Sequence, residues 1–159
     1  MDDGHDERER LPLSKAVGYL IDESRMVLPG IQTLFGFQLI AVFSDRFQSL
    51  STHEQELHFI SIALVVLATG LIMTPAAYHR HQESREVTQS FIVVSTRLLL
   101  AGMVPLAFAL ALDVYLIGQL ILAPSWARGI ALGMLGMLVF LWFVFPRVKL
   151  LQRALSWSP

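Results

Sequence analysis

Apolar and polar positions along this chain separate into long blocks rather than short alternations. Four apolar runs stand out, at residues 26–43, 57–78, 91–122 and 127–146. A helix needs roughly 20 mostly apolar residues to span a bilayer, and all four runs read as spans, the first being the weakest. The first is the most interrupted, holding Pro29, Gly30, Gln32, Thr33, Gly36 and Gln38. The second carries only Ser61, Thr69 and Thr74 as interior polar groups. The third carries Arg97, Asp113 and Gln119, and the fourth has no polar side chain beyond Arg128 at its start. Ahead of them, Leu13, Val17, Leu20 and Ile21 recur at helical spacing, with Lys15, Asp22, Glu23 and Arg25 elsewhere on the wheel. That pattern predicts an amphipathic helix over 11–25, lying on the inner leaflet or against a partner. The expected fold is all-α: an integral membrane four-helix bundle (26–147) with an N-terminal amphipathic cytoplasmic helix. Residues 1–10 read as a disordered acidic tail and 148–159 as a short basic cytoplasmic tail.

Composition agrees. The 159 residues are 54% hydrophobic and 16% charged, where soluble domains are about 45–50% apolar and about 25% charged. There is no cysteine, which excludes disulfides and thiolate chemistry. A net charge of −1 gives no reason to expect nucleic acid. The opening residues, MDDGHDERER, lack the compact apolar stretch of a signal peptide. With the N-terminus in the cytoplasm, ten basic residues fall inside (Arg8, Arg10, Lys15, Arg25, Arg80, Arg85, Arg97, Arg147, Lys149 and Arg153) and two outside (Arg46 and Arg128). This positive-inside bias predicts a multi-pass protein with both termini cytoplasmic.

The first run opens on Glu23, Arg25, Pro29 and Gly30, a membrane-entrance motif in which Pro-Gly favours a bend between surface helix and span. "DESRMVLPGIQTLFGFQL", "AVFSDRF", "TPAAYHRH" and Arg97 together resemble a family of small bacterial four-helix membrane proteins classed as a domain of unknown function. The resemblance covers roughly residues 20–100. It implies a multi-pass protein of the bacterial inner membrane and leaves the activity open.

Asp113 is the residue that most needs an explanation. A charged carboxyl at the bilayer centre costs roughly 2.5–3.5 kcal/mol on insertion scales. Two placements stay open. If the third span fills the core beside the fourth, Asp113 lies near mid-membrane. If the helix ends near Gly118, it lies by the outer headgroups. A deep Asp113 either ties helices together or exchanges protons or cations along a polar path with Gln32 and Gln38. His79, Arg80 and His81, with Arg97, form a cytoplasmic interface suited to anionic headgroups. His53, Glu54, Glu56 and His58 make an outer cluster in which Ser51 or Thr52 caps a helix with Glu54 or Gln55 reaching back. Gly129, Gly133 and Gly136 present small residues at a spacing that lets helices approach closely, either within the chain or between copies.

No nucleophile motif, phosphate loop or paired catalytic carboxylate is present, so no enzyme activity, cofactor or metal is expected. The expected function is a homo-oligomeric channel or a proton- or cation-linked transporter. The alternative is a non-transporting accessory or scaffold protein that binds a partner complex. The expected partners are the lipid bilayer, protons or cations, and further copies of the chain.

Overall fold

The computed structural model describes residues 13–81 and 89–147. Residues 1–12, 82–88 and 148–159, with the two tails expected there, lie outside the described residues, as do the side chains of His79, Arg80 and His81.

The described chain is all-α. α1 is Leu13–Ala41, α2 the single turn Asp45–Gln48, α3 Thr52–His81, α4 Gln89–Ile121 and α5 Pro124–Val139. α5 continues as a π-helical turn, Phe140–Val144, and a 3₁₀ turn, Phe145–Arg147. Pro146 lies in the 3₁₀ turn and has no backbone N–H to continue the helical ladder.

Three of the helices are long and apolar enough to cross a membrane: Thr52–Ala77, Phe91–Ile121 and Pro124–Arg147. The large apolar side chains they turn outward, such as Leu67, Ile117, Ile121 and Leu132, are what a surrounding lipid phase would stabilise. The chain has the character of a membrane protein.

α1 departs from expectation. The amphipathic segment and the first apolar run are not two separate elements; they form one continuous helix of 29 residues with Pro29 inside it. Pro29 removes only one donor, and the helix resumes at once through Gly30 and Ile31. The Thr33 hydroxyl donates to the Pro29 carbonyl at 2.8 Å. Between Arg25 and the helix end lie only residues 26–41, about 24 Å of apolar helix. This shortness and its polar interruptions set α1 apart from the three longer apolar helices.

α4 is central, packing most extensively against α3 and then α5, while α1 lies against α3 and touches α4 lightly. The buried positions of α3 are His58, Ser61, Val65, Ala68, Ile72 and Pro75, spaced three and four apart. They meet Gly102, Leu106 and Ala109 of α4. Two glycines set how closely the helices approach. A Cβ on Gly102 would fall 2.8 Å from Ile72 Cγ1 and 3.2 Å from the Ala68 carbonyl oxygen. A Cβ on Gly118 would fall 2.9 Å from the Ala127 Cβ. In lipid, helix association rests on such close packing. Gly129, Gly133 and Gly136 face open space instead. Packing of that glycine stripe within the chain is therefore corrected: Ala127 and Ala131 are the buried residues of α5.

Candidate functional site: a polar centre around Asp113

The antiparallel α3–α4 pairing sets Ile72 beside Gly102. Eleven residues back along α3 and eleven forward along α4, the same register sets Ser61 beside Asp113. α1 then brings Gln38 onto both. Gln38 Nε2 donates to Asp113 Oδ2 at 2.8 Å and to Ser61 Oγ at 2.9 Å. Ser61 Oγ donates to Asp113 Oδ1 at 2.8 Å and also lies 3.1 Å from the Ala109 carbonyl oxygen. Gln38 and Ser61 are buried, and Asp113 is half-buried. The Gln38 Oε1 is buried with no partner among the described residues, so this amide is held through its nitrogen alone.

His58 completes the arrangement. Its Nε2 lies 2.9 Å from the backbone carbonyl of Gln38. A carbonyl only accepts, so Nε2 carries the hydrogen and donates. Gln38 lies in the last turn of α1. A side chain of α3 thus bonds the end of α1 and fixes the residue whose amide reaches Asp113. The ring of Phe47 meets His58 edge-on at 5.2 Å between centroids, tying the 42–51 turn to the same place. At the start of α3, Ser51 and Glu54 form a capping box. The Ser51 backbone N–H donates to Glu54 Oε2 at 2.8 Å, its hydroxyl donates to the same oxygen at 2.7 Å, and Glu54 N–H lies 3.4 Å from Ser51 Oγ.

Gln38, His58 and Asp113 line a cavity of about 210 Å³ beneath the 42–51 turn, walled mainly by apolar side chains of α1 and α4. A second cavity of about 220 Å³ lies toward the opposite end, lined by Glu23, Val27, Leu99 and Trp142 among others. Between them sit Ile31, Val65, Ala68, Leu106 and Ala109 of the core.

The remaining candidates are dispersed. Gln32 is exposed on α1 and does not reach Asp113, because six residues along a helix carry it away from the face of Gln38. Glu23, Arg25, Pro29 and Gly30 are exposed along α1, and Arg97 is exposed near the start of α4. The outer cluster does not assemble: His53 and Glu56 approach to 4.0 Å on the surface while His58 turns inward. Among the described residues no three His, Asp or Glu side chains gather as a metal site. Sequence reasoning passed over Ser61 and His58 as members of the centre. The signal was their three-residue spacing, which continues the stripe Val65, Ala68 and Ile72. The end of α4 also differs from one of the two placements of Asp113: the helix runs through Gly118 to Ile121.

Neither the curated proteins nor the solved structures contain a match to this chain. A family model does match, over residues 6–146, and the chain belongs to that family of unknown function, DUF6328.

Proposed function

We propose that the chain is a four-span inner-membrane protein that handles protons or cations at Asp113. One observation carries this reading: the hydrogen-bond network around Asp113 suits both of its protonation states without moving a heavy atom. With the carboxyl ionised, Ser61 and Gln38 each donate to one oxygen. With the carboxyl neutral, the acid donates from Oδ1 to Ser61 Oγ. The Ser61 hydroxyl turns to the Ala109 carbonyl, already 3.1 Å away, and Gln38 still donates to Oδ2. A hydroxyl has one donor and two acceptor sites, so Ser61 is satisfied in both states. Asp113 lies eight residues before the end of α4, about 12 Å along the helix, close to the middle of a core roughly 30 Å thick.

Asp113 faces partners of its own chain rather than an outward surface, which favours a path through each subunit over one on a symmetry axis. In this topology α1 crosses beside α3, both termini are cytoplasmic, and the 42–51 turn is outside, as the distribution of basic residues implies.

The test is proton flux in proteoliposomes under a pH gradient or an imposed potential. Wild type should acidify or alkalinise the lumen measurably faster than empty vesicles, and Asp113→Asn should fall to the empty-vesicle rate. Equal rates for the two proteins would exclude Asp113 as the proton site.

A second reading, a non-transporting accessory protein, draws on the same network seen as a clamp, since it ties α1, α3 and α4 together within one chain. An Asp113→Asn protein as inert as a wild type that moves no ions at any pH would favour it.

A further inference from the structure

We propose that the cleft between α1 and α4 is a binding site for one anionic phospholipid, with an acyl chain in the cleft and the phosphate on Arg46. α1 and α4 touch only lightly, and the space between them is the cavity of about 210 Å³. Its side walls are Leu34 and Phe37 from α1 and Leu116, Ile117 and Leu120 from α4. Phe37, Ile117 and Leu120 are also exposed on the outer surface of the helices, so the cleft opens sideways, where acyl chains lie. A water occupies about 30 Å³, so the space holds about seven groups of that size, a stretch of chain rather than a whole lipid.

The rim supplies the charge. Arg46 lines the mouth, and no carboxylate pairs with its guanidinium among the described residues. The turn that carries it is held in place. Gln55 Nε2 donates to the Phe47 and Leu50 carbonyls, each at 3.3 Å, and Phe47 packs on His58. An unpaired guanidinium carried by a fixed turn above an apolar slot is complementary to a phosphate joined to a hydrocarbon chain. The proposal goes beyond the reading of Asp113 and rests only on the 42–51 turn lying at a bilayer surface.

The experiment reconstitutes the full chain in mixed phosphatidylglycerol and phosphatidylcholine vesicles, extracts it in detergent, and counts retained lipids by native mass spectrometry. Wild type should retain one lipid, with phosphatidylglycerol preferred about tenfold. Arg46→Gln should keep a lipid but bring the preference close to parity. Leu120→Trp and Ala41→Phe each fill the cleft by a different wall, and the one that keeps wild-type helicity should lose the lipid. Retention by wild type no greater than by the filled variant would overturn the site. A phosphatidylglycerol preference unchanged in Arg46→Gln would overturn the role of the guanidinium. No ion gradient enters the measurement, so its failure leaves the proton reading standing.

Discussion

Asp113, Gln38 and Ser61 form a unit in which each donor meets an acceptor, and single substitutions should expose that interdependence. Asp113→Asn keeps the shape of the neutral acid: its amide donates toward Ser61 and its oxygen accepts from Gln38. Asp113→Ala removes both acceptors: the Ser61 hydroxyl can still turn to the Ala109 carbonyl, but one N–H of the buried Gln38 amide is left without an acceptor. A buried unsatisfied polar group costs about 1–3 kcal/mol. Thermal unfolding in detergent should therefore show Asn near wild type and Ala clearly lower. Equal losses in the two variants would mean that the hydrogen bonds around Asp113 contribute little to stability. At this scale the sequence was partly legible. Two amide- or acid-bearing side chains inside apolar runs, Gln38 and Asp113, mark themselves, because lipid gives them no solvent. Gln32 looks equivalent on the same argument and is not, since only the packing of α1 decides which face turns inward. Ser61 is too common a residue in apolar helices to mark itself, and His58 reads as part of a polar turn until the fold shows it bonded to the Gln38 carbonyl of α1.

Among the elements, close approach depends on isolated small residues rather than on the most conspicuous motif. Gly102 and Gly118 stand where a Cβ would meet Ile72 or Ala127. Gly118→Leu should separate α4 from α5 and destabilise the fold by about 1–3 kcal/mol, the range for overpacking. Gly133→Leu projects into open space and should leave the monomer's unfolding temperature unchanged. A shift in oligomeric state with Gly133→Leu, read by light scattering, would identify the open stripe as a contact between copies. A loss of monomer stability would contradict the orientation of α5. The sequence shows Gly129-x-x-x-Gly133 plainly, but spacing along one helix carries no information about which neighbour it faces. For the same reason Pro29-Gly30 reads as a break, yet one missing donor does not end a helix held on both sides.

For the whole molecule, the segregation of apolar runs made the all-α architecture legible, because only helices satisfy their own backbone groups in lipid. The number of crossings was less so. α3, α4 and α5 have the length and composition to span, while α1 combines a charged first half with a short apolar second half. The proposed four-span topology places both ends of the chain on one side, whereas three crossings would place them on opposite sides. Membrane-impermeant labelling of cysteines introduced at Asp3 and Ser158, in intact cells and in permeabilised ones, should give protection of both until the membrane is opened. Labelling of one end alone in intact cells would remove α1 from the membrane and, with it, the intramembrane setting of Gln38.

The central claim is that Asp113 gains and loses a proton within the bundle while its neighbours stay in place. Infrared difference spectroscopy of the reconstituted protein, recorded between acidic and alkaline conditions, reads that event at the carboxyl itself. The account expects a reversible carboxylic-acid band that is absent from Asp113→Asn and displaced in Ser61→Ala, with amide bands nearly unchanged. A difference spectrum identical in wild type and Asp113→Asn would contradict it.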